Sequence, residues 1–93
     1  IGYSIRTEET AAFLDAVTLL RAPRRRDGAT FWRIYRDLSD PSRYVERFIV
    51  TSWADYLHQR SRATVADHDQ EVLVRAFVLE GKPVTMQHYI AER

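Results

Sequence analysis

The sequence predicts an α+β fold: an antiparallel sheet of four strands with helices packed on one of its faces. Three observations lead there. Hydrophobic residues alternate with period two at the start of the chain, in two middle runs and again near the end, and recur every three or four residues in between. Helix-capping residues stand where the period changes. The two middle runs are joined by a short acidic-proline segment, which suits a hairpin connection.

Residues 1–6 place Ile1, Tyr3 and Ile5 on one side and Gly2, Ser4 and Arg6 on the other, as in a half-buried strand. Thr7, followed by Glu8 and Glu9, supplies an N-cap hydroxyl and two carboxylates for a first helical turn, where the helix dipole favours negative charge. Phe13, Ala16, Val17 and Leu20 form the stripe this helix should bury, and Arg21, Arg24, Arg25 and Arg26 gather near its C-terminal carbonyls. Asp27 and Gly28 make a turn. Residues 29–37, with the run FWRIYR, and residues 43–51 are rich in aromatic and β-branched side chains and read as strands on either side of Ser39, Asp40 and Pro41. Ser52 with Asp55 resembles a capping box and opens a short helix carrying Trp53, Tyr56 and Leu57. Thr64 with Asp67 repeats the signal for a longer helix, whose expected buried stripe is Val65, Val72, Leu73, Ala76 and Phe77 and whose expected left-handed terminator is Gly81. After Pro83, residues 84–90 are expected to form a last strand. The order β-α-β-β-α-α-β is the split βαβ, or ferredoxin-like, arrangement, in one domain over residues 1–93.

Composition narrows the function classes. The 93 residues, 45% hydrophobic and 29% charged, suffice for one domain with a modest core. No apolar run reaches the ~20 residues of a membrane span, and the N-terminus lacks the order of a secretion signal. Without cysteine there is no disulfide or thiolate chemistry, which suits a reducing, cytoplasmic setting. A net charge of +1 is too small for a general polyanion binder, so no nucleic-acid partner is expected. The glycines Gly2, Gly28 and Gly81 are too scattered for a phosphate loop, and no serine is flanked by the glycines of a nucleophile turn. The chain opens at Ile1 rather than Met, as an excerpt or a processed product would.

The two middle strands are apolar on both faces. Trp32, Ile34, Tyr44, Phe48 and Val50, with the exception of Glu46, make the more apolar set and should meet the helices. Phe31, Arg33, Tyr35, Val45, Arg47, Ile49 and Thr51 make the mixed set. The helices can cover one face, and a large uncovered apolar face is rare on a monomer, so a homodimer through the sheets is expected, with the mixed set lining the space between them. In one hairpin register Arg33 stands opposite Arg47, which marks an anionic ligand; in a register one residue different, Arg33 neighbours Glu46 and forms an ion pair.

The segment FWRIYRDLSDPSRYVERFIVTSWADYLHQ, followed by the helix from Thr64, resembles the dimeric α+β barrel domains related to antibiotic biosynthesis monooxygenases. More closely, it is similar to the soluble C-terminal domain of the bacterial major facilitator transporters known as transmembrane secretion effectors. The likeness covers nearly the whole chain, and its most specific portion is RDLSDPSRYVERFIVTSWADYL. It implies a two-sheet dimeric barrel, a bacterial source, and a domain attached to a preceding membrane portion. Enzymes of the wider family resemble one another in cavities built from Trp, His, Tyr and often Asn. Trp53 matches the aromatic at the end of the third strand, but the position four residues earlier, where an oxygenase can place Asn, is Ile49, and the chain contains no Asn.

Candidate cavity-lining residues are therefore Phe31, Arg33, Tyr35, Arg47, Ile49, Trp53 and His88. For an oxygenase, Arg33, Tyr35 or Arg47 would hold an enolate, and no base is assigned. His68 is the candidate base or haem ligand, because the haem-degrading relatives carry an axial His on the corresponding helix; the plainer reading is a helix-edge imidazole bonded to a neighbouring carboxylate. His88 is either buried and hydrogen-bonded or part of the cavity, and His58 is expected in solvent. The three imidazoles match no zinc spacing, so no metal and no cofactor are expected. Arg24, Arg25 and Arg26 read as a solvated helix end, or as contacts for a phosphate or a membrane head group. The leading expectation is a non-catalytic or ligand-sensing module that dimerises through its sheet and takes a small aromatic or anionic ligand. It would be the C-terminal appendage of a major facilitator exporter, at the cytoplasmic face of the inner membrane, joined to the transporter covalently or non-covalently. The alternative is a cofactor-independent monooxygenase acting on a phenolic or polyketide-like small molecule, and the third reading is a haem-degrading oxygenase.

Overall fold

A computed structural model describes residues 1–93 and shows an α+β fold on a three-stranded antiparallel sheet. Strand β1 spans Gly2–Ser4, β2 Ala29–Arg36 and β3 Arg43–Val50, in the spatial order β1-β3-β2. The helices are α1 (Thr10–Thr18), α2 (Arg21–Arg26), α3 (Trp53–Arg60) and α4 (Val65–Arg75), with a 3-10 turn at Thr7–Glu9 ahead of α1.

The β2–β3 hairpin forms where aromatic and β-branched residues concentrate. Its connection is closed by two aspartates. The Asp37 carboxylate accepts the N–H groups of Ser39 and Asp40 at 2.7 and 3.1 Å, and that of Asp40 accepts the Ser42 N–H and hydroxyl at 3.0 and 2.6 Å. The register pairs Phe31 with Ile49, Trp32 with Phe48, Arg33 with Arg47, Ile34 with Glu46 and Tyr35 with Val45. Thr30 is an extra residue between the Ala29–Val50 and Phe31–Ile49 pairs, a bulge at the start of β2.

The core lies between the sheet and the helices. Tyr3 and Ile5 from the first strand, Phe13, Val17 and Leu20 from the α1 region, Tyr44 from β3 and Val74 from α4 are buried together. The Phe13 ring is central, 5.6 Å from Tyr3, 5.2 Å from Tyr44 and 6.3 Å from Phe77, at the tilted and edge-on angles aromatic rings prefer.

Four expectations are corrected. The first helix is in two pieces, and Thr7 does not cap it; the Thr7 carbonyl instead accepts the Thr10 hydroxyl at 2.8 Å. Pro23 has no N–H to continue the ladder, so α1 ends before it and α2 starts afresh with Pro23 in its first turn. Second, α4 is capped as expected by the reciprocal Thr64–Asp67 box, but its phase is different. Val74 is 1% exposed while Val65 is 79% exposed, and Val72 and Leu73 are also exposed. The buried side runs through Asp67, Gln70, Glu71 and Val74, because Arg26 takes Asp67 and both Arg24 and Arg60 take Glu71. Third, Gly81 does have a positive φ of 78°, but it lies in a turn over residues 79–82, beyond the end of α4 at Arg75.

Fourth, residues 84–90 form no continuous strand. Thr85 alone bridges Gly2, through a reciprocal pair of backbone hydrogen bonds at 2.8 and 3.0 Å, and Val78 bridges Ile5. β1 is only three residues long, so its free edge offers a ladder for little more. Met86, Tyr89 and Ile90 are exposed. Gly2 is where the edge closes tightly: a Cβ there would collide with the side chains of Arg43 and Thr85.

Candidate interaction face of the sheet

The pleat of β2 and β3 sends alternate residues to opposite sides. Trp32, Ile34, Tyr44, Glu46 and Phe48 face the helices, and Phe31, Arg33, Tyr35, Val45, Arg47 and Ile49 face away, as the alternation predicted.

Glu46, the charged member of the covered face, is 1% exposed and organises that side. Its Oε1 accepts the Tyr3 hydroxyl at 2.8 Å, and its Oε2 accepts Arg24 Nε and Trp32 Nε1, each at 2.9 Å. Arg24 in turn donates to Glu71 Oε1 at 3.2 Å, and Glu71 receives a two-pronged pair from Arg60 at 2.6 and 2.9 Å. The Arg24 guanidinium also lies 5.0 Å over the Phe48 ring. Arg24 is thus buried and paired, which corrects the expectation that Arg24, Arg25 and Arg26 form a solvated helix end. Burial works against the Arg24 charge, but the hydrogen bond and field of Glu46 outweigh it and hold the guanidinium above its ordinary pKa. Burial, then the Glu46 charge, pushes the Tyr3 phenol up, so it stays a donor. This network ties α2, α3 and α4 to the inner side of the hairpin. The sequence signal for it was Glu46, one carboxylate on an otherwise apolar strand face, since such a charge needs a buried partner.

On the outer face Arg33 and Arg47 stand opposite one another, the first of the two registers the sequence allowed. Neither makes an ion pair or a side-chain hydrogen bond; Glu46 points to the other side and belongs to Arg24. Both guanidiniums instead lie near the Phe31 ring, at 6.0 and 5.5 Å from its centre. Phe31 and Ile49 form the neighbouring pair on one side of the arginine row, and Tyr35 and Val45 the pair on the other. Tyr35, Val45 and Ile49 are exposed.

Trp53 and His88 make a separate pair. Trp53, on the first turn of α3, stacks on Tyr56 at 5.4 Å and meets the His88 ring edge-on at 4.8 Å. His88 is exposed rather than buried. His58 and His68 are exposed on α3 and α4, and His68 has no hydrogen bond to a neighbouring carboxylate. No hydrogen bond joins any of the three imidazoles to Arg33, Tyr35 or Arg47. The face therefore presents two guanidiniums without carboxylate partners beside an aromatic ring. A groove of about 570 Å³ lies away from this face, between α1 and α4, over Ala16, Leu19, Leu73 and Phe77.

No helix is long and apolar enough to cross a membrane. No curated protein and no solved structure matches the chain. The family of transmembrane secretion effectors matches residues 1–93, the full length described here, and links the fold to a major facilitator transporter. A small α+β unit with its helices bound to one side of a hairpin, and with an open aromatic and basic face on the other, is the form this family takes in these residues: the chain belongs to the transmembrane secretion effectors.

Proposed function

We propose that the chain is a non-catalytic, cytoplasmic-side module of a major facilitator exporter that pairs with a second copy of itself, sheet face to sheet face. One observation carries this reading: all four helices are engaged on the inner side of the sheet, through Phe13, Arg24, Tyr56 and Val74, while the outer side of β2 and β3 exposes Tyr35, Val45 and Ile49. The outer face is banded. Its pairs run apolar, basic, apolar along the strands, so a two-fold partner centred on the arginine row packs apolar bands on apolar bands and leaves the two arginine rows facing each other. The spatial order β1-β3-β2, with the Thr85 bridge on the free edge of β1, supports a ferredoxin-like protomer completed into a dimeric barrel. In that assembly the module would join two transporter subunits.

Sedimentation velocity tests the pairing. The protein is expected to sediment as a dimer at tens of micromolar, and Ile49→Lys, which adds a further positive charge to the exposed face beside the arginine row, is expected to sediment as a monomer with an unchanged circular dichroism spectrum. A wild-type protein that remains monomeric across that range would remove the proposal.

A further inference from the structure

Side chains of directly opposed residues on an antiparallel ladder project to the same side, with Cβ atoms ~5 Å apart. Arg33 and Arg47 are opposed in this way, both are exposed, and neither has a carboxylate. Arg6, Arg24, Arg26 and Arg60 each hold one; what sets Arg33 and Arg47 apart from the other unpaired arginines is that they stand directly opposite each other on the ladder. Like charges placed opposite one another cost stability, and the contact both guanidiniums do make is with the Phe31 ring. Pairing two copies through this face brings four guanidiniums together between apolar bands, where water no longer screens them.

We infer that the interface between two copies holds an aromatic carboxylate, gripped by Arg33 and Arg47 and resting its ring against Phe31. The inference rests on the face-to-face pairing proposed above. A guanidinium presents a planar fork of N–H donors that matches a carboxylate, so two opposed forks form a better anion grip than a point charge would. The rest of the ligand follows from the banding. A carboxylate seated on the arginine row must lay its hydrocarbon part along Phe31 and Ile49 or along Tyr35 and Val45, and flat rings suit both bands.

The probe is 9-anthracenecarboxylate, titrated into the protein at tens of micromolar and followed by its fluorescence, with sedimentation in parallel. Saturable binding is expected, together with a shift of the association equilibrium toward dimer. The double variant Arg33→Gln/Arg47→Gln is expected to dimerise without the probe at least as well as wild type, because the repulsion is gone. It should bind the probe about thirtyfold more weakly, the scale of one or two charge-assisted hydrogen bonds. Phe31→Leu, which keeps both charges, is expected to weaken the probe while leaving inorganic phosphate without effect. The inference is overturned if a dimeric wild type fails to bind the probe, if the double variant binds it equally well, or if phosphate drives dimerisation as strongly as the probe does. A protein that stays monomeric even in saturating probe overturns the pairing as well, which separates the two failures.

Discussion

Glu46 and Arg24 meet beneath the sheet, carboxylate Oε2 to guanidinium Nε at 2.9 Å, with both side chains almost completely removed from solvent. Charges buried at this depth hold together through full hydrogen bonding, and Tyr3, Trp32 and Glu71 complete the set. Glu46→Gln leaves the buried Arg24 charge with only its 3.2 Å contact to Glu71, a carboxylate that Arg60 already pairs, and is expected to cost about 3 kcal/mol. The pair replaced together, Arg24→Met with Glu46→Gln, is expected to cost less than Glu46→Gln alone, since no buried charge is left short of its partner while the glutamine carbonyl still accepts from Tyr3 or Trp32. Urea unfolding of the wild type and the two variants measures this. A double variant as unstable as Glu46→Gln alone would mean that the pair does not act as a unit.

Acid stability has a defined sign. Burial alone would raise the Glu71 carboxyl, but the Arg60 hydrogen bonds and the Arg60 and Arg24 charges overcome it and hold the group below its ordinary range. A carboxyl depressed on folding adds stability above its unfolded pKa and loses it as pH falls through the folded value. Asp27 is the reverse: burial raises it, so its contribution is present in acid and is lost as pH rises through the raised folded value. Stability should therefore fall on acidification below about pH 4, and Glu71→Gln should flatten that slope. Asp27→Asn should be more stable than wild type near neutrality and lose that advantage in acid. Equal acid slopes for wild type and Glu71→Gln would contradict this assignment.

The phase of α4 can be read from two valines. Val74 is buried against Phe13 and its neighbours, so Val74→Ala is expected to cost about 2 kcal/mol, roughly 0.8 per buried methylene equivalent plus a small cavity. Val65→Ala touches an exposed position and should stay within about 0.5 kcal/mol. Thermal melts of the two proteins should separate clearly, and similar melting points would mean that the helix is rotated.

The tail is held at one place. Gly2→Ala pushes the Arg43 and Thr85 side chains apart and should loosen the Gly2–Thr85 bridge. Amide exchange at Gly2 and Thr85 is expected to quicken, while exchange along the β2–β3 ladder stays slow. A uniform acceleration across the ladder would show that the tail and the hairpin unfold together.

Much of the fold was legible because it is local. The Ser52 and Thr64 caps act where the sequence placed them, the hairpin spans Ala29–Arg36 and Arg43–Val50 against expected strands of 29–37 and 43–51, and both strand faces carry the residues assigned by alternation. The outer-face candidates Phe31, Arg33, Tyr35, Arg47 and Ile49 do share one face, while Trp53 and His88 pair with each other apart from the arginine row.

By itself, then, the sequence determined the hairpin, its two faces and the starts of α3 and α4, since capping and alternation depend on residues within a turn or a strand of each other. The tertiary structure decided the depth of Arg24, the rotation of α4, the reach of the last segment and the opposition of Arg33 to Arg47. Arg24 finds Glu46 22 positions away and Glu71 47 positions away. A helix periodicity contains no information about such partners; the demand of the buried Arg24 guanidinium for carboxylates outweighed the apolar stripe and turned Glu71 inward where valine and leucine were expected.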